Sequence, residues 1–332
     1  MKFGPLALDE ALGVILAHSI DLPEGRLRKG MRIDAESIDK LRYFGLSEVV
    51  AARLDPGDVH EDAAALELAQ ALARKGSGLK IGRPGTGRVN LFAEGAGLAR
   101  IDAAQVHAVN RIHPMITVAT VPEWQRMGHG GMVATVKIIS YAVPGQALAA
   151  ACGAGRGALG LQGVQRPRVT LIRTFTGATP DESGVAAISD RLDRLGARLV
   201  AESNVAHAED SLSRDLAAVR DVAQSDLILL LTGSATSDPD DVGPAALRLA
   251  GGQVTRFGMP VDPGNLLFLG ALAGVPVIGL PGCARSPALN GADWVLERLL
   301  CGVEVTSEDI AGMGVGGLLK EIPSRPQPRD PK

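Results

Sequence analysis

The stretch that decides the fold is Asp226–Asp241, DLILLLTGSATSDPDD. Its five consecutive aliphatic residues, Leu227–Leu231, predict a strand that is buried on both faces, as in a parallel sheet. Small residues follow at once, and Ser237 or Asp238 can cap a helix whose first position is Pro239. In open α/β sheets, ligands bind in loops of this kind, at the carboxyl ends of the strands. The sequence therefore predicts a ligand-binding turn directly after this strand.

The same alternation of strands and helices continues on both sides of this stretch. Apolar strands are predicted at Arg168–Thr174, Arg198–Glu202 and Val275–Leu280. Helices are predicted at Val185–Leu195, Ser211–Val222, Pro239–Ala250 and Ala288–Leu300. Strands that alternate with helices predict a mostly parallel sheet that is covered on both faces. The fold class expected for residues 168–303 is therefore α/β, a three-layer αβα domain.

The first 150 residues predict a smaller, mixed α+β region. Its helices are predicted at Leu6–His18, Asp34–Leu41, Glu61–Ala73 and Ala103–Val109. Its strands are predicted at Ser47–Leu54, Val89–Phe92, Ile116–Val121 and Met132–Val143. Glycine becomes frequent at residues 75–88, where two subdomains can join. A second glycine-rich stretch, residues 151–167, predicts a linker, and the proline-rich residues 321–332 predict a disordered tail.

Length, charge and cysteine content exclude several classes of protein. The chain has 332 residues, 46% of them hydrophobic, and its net charge of -3 leaves no basic surface for nucleic acid or an anionic membrane. Its 3 scattered cysteines are too few for a disulfide framework, which suits a reducing compartment. The sequence also lacks an uninterrupted apolar stretch of membrane-spanning length. A soluble, cytoplasmic protein is expected.

Two further segments with turn chemistry lie close to predicted strand ends. Pro281–Pro287, PGCARSP, follows a buried strand and precedes a helix, and Asp262–Asn265, DPGN, reads as a turn. Each segment alone is an ordinary turn or helix cap. Three such segments in one domain favour a shared polar pocket at the strand ends.

These segments carry a resemblance to a known family. TGSATSDPDDVGPAALRLAGG resembles the pattern Thr-Gly-Gly-x-Ser-x-Gly-x-x-Asp of molybdopterin-binding domains, which occur in the molybdopterin adenylyltransferase and the molybdopterin molybdenumtransferase. DPGNLLFLG is similar to the family's Pro-Gly-Lys-Pro segment, and LPGCARSPAL to its Leu-Pro-Gly-Asn-Pro-x-Ser segment. The three agree in order and spacing over about residues 168–301. The nearest resemblance is to the molybdopterin-binding half of bacterial proteins that often carry a nucleotidyltransferase.

The resemblance implies a ligand and a set of site residues. Asp241 matches the family's aspartate and is implied in catalysis and in holding Mg²⁺, with Glu209 and Asp210 as further candidate metal ligands. Carboxylates stand near a phosphate when a cation such as Mg²⁺ bridges them. The implied ligand is molybdopterin or its adenylylated form. The residues implied to bind it are Thr232, Gly233, Ser234, Thr236, Pro263, Gly264, Asn265, Pro281, Gly282, Arg285 and Ser286.

Some positions depart from the family pattern. Ser234 replaces its second glycine, Asn265 replaces its lysine, and Cys283-Ala284 replaces its Asn-Pro. The loss of the lysine removes a contact to phosphate or molybdate. Arg285 restores a positive group with a different geometry.

The resemblance implies a molybdenumtransferase-like enzyme, which inserts molybdate into adenylylated molybdopterin and releases the nucleotide. An alternative is a non-catalytic molybdopterin carrier or chaperone that serves a separate nucleotidyltransferase or a molybdoenzyme. A weaker alternative is a nucleotide-hydrolysing enzyme of pyridine-nucleotide processing. In each case proteins similar to this one form homo-oligomers.

Two other features stay open at the level of sequence. Cys283 lies in a predicted ligand loop and is a candidate nucleophile, although a small residue that fills a turn is the favoured interpretation. His207, Glu209 and Asp210 follow a short strand, where they suit either a metal or a solvated turn.

Overall fold

The computed structural model of the chain describes residues 1–177, 184–222 and 224–319, without the side chains of 220–222. The predicted tail at 321–332 lies outside the described residues. None of the described helices has the length and the apolarity that a membrane crossing requires.

The chain folds as two compact units. Unit 1 comprises Met1–Gly95 and Ala99–Leu161, and unit 2 comprises Ala96–Leu98 and the chain from Gln162 onwards. Both units contain helices and sheets, which confirms the expectation of a mixed α/β protein.

Short strands and helices alternate in the first 163 residues. The strands are β1 (Lys2–Ala7), β2 (Ile15–Leu16), β3 (Ile20–Leu22), β4 (Gly25–Leu27), β5 (Glu48–Arg53), β6 (Asp58–His60), β7 (Leu79–Ile81), β8 (Arg88–Ala93), β9 (Gly97–Ile101), β10 (Ile116–Thr120), β11 (Arg126–Met127), β12 (Met132–Ile138), β13 (Ala142–Pro144) and β14 (Leu159–Gly163). The helices are α1 (Ala35–Tyr43), α2 (Glu61–Leu72), α3 (Ala103–Ile112) and α4 (Gly145–Ala154).

Unit 1 is built around small antiparallel sheets. One has the order β1-β5-β2 and another the order β10-β12-β8-β7. The larger core lies between α2 and the second sheet, where Leu68 and Leu72 pack with Leu91 and Val136, all fully buried. Because these residues recur every three or four positions in the helix and every second position in the strands, the two surfaces meet as continuous apolar faces.

The prediction of a helix at Leu6–His18 is wrong. That stretch contains the end of β1, a short 3-10 helix at Leu8–Glu10, and β2. Its apolar residues do recur at helical spacing, but β5 offers a pairing edge to β1 on one side and to β2 on the other. Gly13, with φ of 79°, lies in the turn that precedes β2. Strand pairing in the folded protein therefore overrides the local helical pattern.

The other elements predicted for the first 150 residues are confirmed, with ends that move by a few residues. Asp34 is the N-cap of α1, since its Oδ1 accepts a hydrogen bond from Ser37 N at 2.8 Å. The long strand predicted at Met132–Val143 is divided into β12 and β13, with Ile139–Tyr141 between them.

Both glycine-rich stretches contain regular structure. Residues 151–167, expected to form a linker, include the end of α4 and all of β14. Residues 75–88, expected to include a joint, contain β7, which pairs with β8. Gly76, Gly78 and Gly157 have positive φ angles of 82°, 75° and 76°. Glycine therefore marks tight turns between elements in these stretches.

Unit 2 contains every strand and helix that the sequence predicts for it, and additional ones. Its strands are β15 (Arg168–Phe175), β16 (Arg198–Ala206), β17 (Leu227–Leu231), β18 (Gln253–Phe257), β19 (Phe268–Leu272) and β20 (Val275–Leu280). Its helices are α5 (Val185–Asp193), α6 (Glu209–Val222), α7 (Val242–Leu249), α8 (Gly291–Leu300) and α9 (Ser307–Gly312). The additional elements, which the sequence pattern does not predict, are β18, β19 and α9.

The strands of unit 2 form one sheet with the order β16-β15-β17-β20-β19-β18. The first four run parallel, whereas β19 is antiparallel to β20 and β18 is antiparallel to β19. The sheet is therefore mostly parallel, as expected, with an antiparallel pair at one edge.

The central strand β17 is buried on both faces. Ile228 and Leu230 pack against Leu216 of α6 and Leu247 of α7. The alternate residues of the strand point to the other face and are also buried. This explains why an uninterrupted aliphatic run, rather than an alternating one, encodes this strand.

Candidate functional site

The three segments singled out in the sequence leave the sheet of unit 2 at the same edge. Leu231, the last residue of β17, lies opposite Leu280, the last residue of β20. Because β19 is antiparallel to β20, its first residue, Phe268, lies opposite Gly279. The turn after β17, the loop after β20 and the segment before β19 therefore emerge side by side. We call this edge the strand-end edge.

The turn after β17 is fitted closely against the end of β15. Gly233 N donates a hydrogen bond to Thr174 Oγ1 at 2.9 Å. A Cβ atom at Gly233 would lie 2.6 Å from the carbonyl oxygen of Thr174, so only glycine fits there. The hydroxyl groups of Thr232 and Thr236 are buried and lie 3.3 Å apart. Of the predicted ligand contacts in this turn, the exposed Ser234 is the side chain that points to solvent most openly.

Three successive backbone N–H groups in this turn have no acceptor among the described residues. The N–H groups of Ser234, Ala235 and Thr236 donate no hydrogen bond to that part of the protein. The next N–H group, that of Ser237, donates to Asp241 Oδ2 at 3.0 Å. Backbone N–H groups in succession at a turn form a concave binding surface for anions.

Asp241 has a structural duty in addition to the role implied for it. It is the N-cap of α7, since its Oδ1 accepts from Val242 N at 2.7 Å. The sequence prediction that Ser237 or Asp238 caps a helix beginning at Pro239 is therefore wrong. The helix begins at Val242, because the residues before it form a turn in which Asp241 accepts from both sides.

Arg285 joins the loop after β20 to the turn after β17. It ends a 3-10 helix, Gly282–Arg285, and its Nη2 donates to the carbonyl oxygen of Thr232 at 2.8 Å. Ser286 is exposed beside it, whereas Pro281 is buried. The guanidinium group therefore brings a positive charge to the strand-end edge.

A buried arginine that the sequence analysis missed holds this loop in place. Arg191 of α5 donates to the backbone carbonyl oxygens of Ala284, Ser286 and Ala288 at 3.0, 2.6 and 3.0 Å. Its Nε donates to Asp293 Oδ1 at 2.5 Å. The available signal was its position on the apolar face of α5, next in the sequence to the buried Leu192.

The segment before β19 is packed against the start of α8. Gly291 N donates to the carbonyl oxygen of Pro263 at 2.8 Å. A Cβ atom at Gly264 would lie 2.6 Å from Gly291 N, which explains the glycine at this position. Asn265 is exposed in this segment.

His207 positions the turn through a second hydrogen bond. Its Nδ1 lies 2.8 Å from Thr174 Oγ1, the atom that accepts from Gly233 N. Because that oxygen accepts the glycine N–H, its own hydrogen is available to His207. Thr174 and His207 thus connect the end of β15 to the candidate ligand turn, a link that no sequence signal revealed.

The two other candidate metal ligands lie away from Asp241. Glu209 and Asp210 begin α6, directly after β16. β15 separates β16 from β17, so two strand spacings, about 10 Å, lie between the ends of these strands. Within the described ranges, no three His, Cys, Asp or Glu side chains are grouped to hold a metal ion.

The chemistry of Cys283 is that of a thiol. Burial raises the pKa of Cys283, with a smaller opposing contribution from Arg191. A reactive cysteine needs the opposite shift, toward the thiolate. The structure therefore favours the interpretation that Cys283 fills a turn.

We expect Cys283 to react with iodoacetamide more slowly than free cysteine at pH 8, because its raised pKa leaves less thiolate. Burial raises the pKa of Cys152 to about 11 and that of Cys301 to about 12, so these thiols should react more slowly still. Mass spectrometry of tryptic peptides measures the three rates. Selective modification of Cys283 at pH 7, faster than that of free cysteine, would contradict the assignment.

Comparisons with known proteins give similarities of limited extent. Residues 5–53 match a family described as a domain of unknown function (DUF8806). No curated protein matches the chain. Among solved structures, the chain is similar to a molybdopterin biosynthesis MoeA protein from Pyrococcus horikosii, with 15% identity, a TM-score of 0.32, and coverage of 90% of this chain and 75% of that one.

Two smaller solved structures align with part of the chain. One is the molybdopterin biosynthesis enzyme MoaB from Thermus thermophilus, with 21% identity, a TM-score of 0.29, and coverage of 40% of this chain and 89% of that one. The other is a molybdopterin biosynthesis protein from Mycobacterium abscessus, with 12% identity, a TM-score of 0.28, and coverage of 40% and 89%. TM-scores this low assign neither the fold nor the activity of this chain.

Proposed function

We propose that unit 2 binds molybdopterin, or its adenylylated form, at the strand-end edge and acts in molybdenum cofactor biosynthesis. The activity proposed is that of a molybdenumtransferase, in which molybdate is inserted and the nucleotide is released. The proposal includes a three-layer αβα arrangement, with α5 and α8 on the sheet face opposite α6 and α7. The resemblance to molybdopterin-binding domains over about residues 168–301 is thereby proposed to reflect a shared function.

The observation that carries the proposal is the run of three backbone N–H groups, Ser234–Thr236, that find no acceptor in the described part of the chain. Donors in this arrangement suit a phosphate, the anionic group of molybdopterin. The positive charge of Arg285 lies on the adjoining loop, 2.8 Å from the carbonyl oxygen of Thr232. Donors and charge are thus held by hydrogen bonds within the fold before a ligand arrives.

The residues present suit Mg²⁺ only as an ion shared with the ligand. Asp241 follows the run of N–H groups, and each of its two carboxylate oxygens accepts a backbone N–H, which fixes the carboxylate in place. Mg²⁺ is commonly bound by one or two carboxylates together with substrate phosphates. In that role the ion would neutralise charge on the phosphate oxygens, and Asp241 would be its protein ligand.

The protein's own contribution to the reaction would be positioning and electrostatic stabilisation. The turn and Arg285 would bind the phosphate, and the segment Pro263–Asn265 would contact the rest of the ligand. Since burial keeps Cys283 a protonated thiol, the proposal contains no covalent intermediate with the protein. Groups fixed before binding need no reorganisation during the reaction, which is the main source of such stabilisation.

A carrier function is the second candidate, and one observation favours it. The exposed tip of the segment before β19 holds the neutral Asn265, where the family has a lysine. A site with less positive charge stabilises a developing negative charge less well, while neutral donors still bind the ligand. In this case the protein would deliver molybdopterin to a nucleotidyltransferase or a molybdoenzyme.

The test is AMP release from adenylylated molybdopterin by the purified full chain with Mg²⁺, with and without molybdate, beside a binding titration. Release that molybdate stimulates supports the transferase. Tight binding without release supports the carrier. Hydrolysis of ADP-ribose without affinity for molybdopterin would overturn both and favour the nucleotide-hydrolysing alternative.

We expect Asp241→Asn to weaken Mg²⁺-dependent binding at least tenfold, about 1.4 kcal/mol. Asparagine keeps one oxygen, which can still accept from Val242 N at the start of α7, but the hydrogen bond from Ser237 N to the second oxygen is lost together with the charge. Asp240→Asn is the matched control, since Asp240 lies next to Asp241 but pairs with Arg248 at 2.7 Å. Equal affinities for the two variants would remove Asp241 from the proposed site.

A further inference from the structure

Unit 1 contains a cavity that the proposed function does not use. Its volume is about 670 Å³, within the range of roughly 300–1,000 Å³ found for pockets that hold small organic molecules. Its walls come from segments far apart in the sequence, between β1 and the residues after β12, and all of them belong to unit 1. We call it the unit 1 cavity.

Lysines give the unit 1 cavity a positive wall. Lys29 and Lys137 line it, and the nearby carboxylate is that of Glu61. Nζ of Lys137 donates to the carbonyl oxygen of Thr86, which also lines the cavity and holds the ammonium group at the wall. Two cations facing one carboxylate favour an anionic ligand.

The carboxylate of Glu61 has no hydrogen-bond partner among the described residues. Glu61 is the first residue of α2, and its backbone N–H donates to the carbonyl oxygen of Tyr141 at 2.9 Å, which fixes its position. Burial raises the pKa of this carboxyl group, and the positive charge of Lys137 opposes that shift in part. The carboxylate therefore has a nearby charge but no hydrogen-bond donor among the described residues, and a ligand with N–H donors would supply one. Two carboxylate oxygens suit a ligand with two adjacent N–H donors.

Large apolar side chains are exposed around the same cavity. Phe3, Ile139 and Met115 are 59%, 54% and 37% exposed, and all three line it. Tyr141 also lines the cavity, and its hydroxyl donates to the carbonyl oxygen of Ala17 at 3.1 Å, so the ring is held in place. Exposed apolar side chains gathered in a concavity indicate a ligand with an apolar or aromatic body.

We infer that the unit 1 cavity binds a nucleotide whose base presents adjacent N–H and NH₂ donors on one edge, as guanine does. The base edge donates to Glu61, and the face of the base packs against Phe3 and Ile139. The phosphate pairs with Lys29 and Lys137. One molecule would thus supply hydrogen-bond donors for the Glu61 carboxylate, cover the apolar walls and pair with the positive charge of the two lysines.

The chemistry distinguishes guanine from related bases. Guanine offers N1–H and the 2-amino group together, so that both oxygens of Glu61 accept. Hypoxanthine keeps N1–H but lacks the amino group. Adenine presents an acceptor at N1, which would face the lone pairs of the carboxylate. A site built around hydrogen-bond acceptors rejects analogues that lack the donors, because its own polar groups are then left unpaired.

The experiment is calorimetric titration of the full chain with GMP, IMP, AMP, ribose 5-phosphate and inorganic phosphate. We expect affinity to fall in the order GMP, IMP, AMP, with GMP at least tenfold tighter than AMP. Equal affinities for GMP and AMP would overturn the inference. So would binding of ribose 5-phosphate or phosphate as tight as that of GMP, which would show a simple anion site.

Variants locate the site. Glu61→Gln should weaken GMP binding at least tenfold and leave AMP binding no weaker, because the glutamine NH₂ can donate to N1 of adenine, whereas Glu67→Gln, exposed on the same helix, should change neither. Lys137→Met should weaken GMP and AMP equally, with Lys80→Met as the control. If the Glu61→Gln variant fails to fold, the order of the GMP, IMP and AMP affinities measured on the unmodified chain still tests the inference.

A variant in the other unit separates this inference from the proposed function. Arg285→Met should leave GMP binding unchanged, because Arg285 belongs to unit 2. Loss of GMP binding in Arg285→Met would show that the nucleotide binds at the strand-end edge, which would overturn the assignment to unit 1. Failure of the molybdopterin assays, in contrast, has no bearing on the unit 1 cavity.

Discussion

Replacement of Arg191 by methionine is expected to lower the free energy of unfolding of unit 2 by about 3–5 kcal/mol. Arg191 and Asp293 are each 5% exposed, and they form an ion pair at 2.5 Å. Methionine fills much of the same volume but carries no donor. The buried carboxylate of Asp293 would lose its cation, and three carbonyl oxygens of the loop after β20 would lose their donors.

Urea unfolding measures the change. Trp294 lies next to Asp293 in α8, so its fluorescence in a Trp124→Phe background reports on unit 2. Arg194→Met is the matched control, because Arg194 is exposed at the end of the same helix; we expect a change within about 0.5 kcal/mol. A value that small for Arg191→Met would show that the ion pair does not determine stability.

A second substitution tests the cause of the loss. Asp293→Asn removes the charge but keeps an oxygen that accepts from Asn290 N, as Asp293 Oδ2 does at 2.8 Å. In the Arg191→Met background it should recover at least about 1 kcal/mol, because the uncompensated buried charge is gone. No recovery would assign the loss to the loop carbonyls instead. In either case the loop that carries Arg285 should become more mobile, and ligand binding at the strand-end edge should weaken.

Two buried strands of unit 2, β17 and β20, could be predicted from the sequence to the residue. Leu227–Leu231 and Val275–Leu280 are apolar runs bounded by turn residues, and the structure has strands with the same ends. The antiparallel strand β19 was missed although it is mostly buried. Its neighbour β18 could not be predicted, because the pattern of Gln253–Phe257 is short and half-exposed. Its conformation depends on pairing with β19, which is a tertiary contact.

The candidate site, too, could be predicted from the sequence only in part. Turns that need glycine or proline are visible in the sequence, and Thr232–Thr236 and Pro281–Ser286 do leave the same edge of the sheet. The groups that hold them are not visible, because Arg191 and Thr174 act across contacts between elements far apart in the chain. The misassigned helix at Leu6–His18 has the same origin, since the pairing edge of β5 decided the conformation.

Replacement of Gly279 by alanine is the second large change that we expect, with a loss of about 3 kcal/mol or more in the stability of unit 2. Gly279 lies in β20, directly opposite Phe268 of β19. A Cβ atom at this position would lie 1.9 Å from Cε1 of Phe268, whose side chain is fully buried. The strand cannot shift to relieve the overlap, because it is paired with β17 on its other side.

The cause can be separated from a general effect of alanine in this region. Gly282→Ala adds the same methyl group three residues later, where no atom lies within 4 Å, and should change stability by less than about 1 kcal/mol. Phe268→Leu shortens the ring side chain and should cost about 1–2 kcal/mol alone, but in the Gly279→Ala background it should restore part of the loss. Purely additive effects of the two substitutions would show that overlap with the ring is not the reason for the glycine. Recovery would show that the ring of Phe268, packed over the bare backbone of Gly279, is the reason for the glycine at this position.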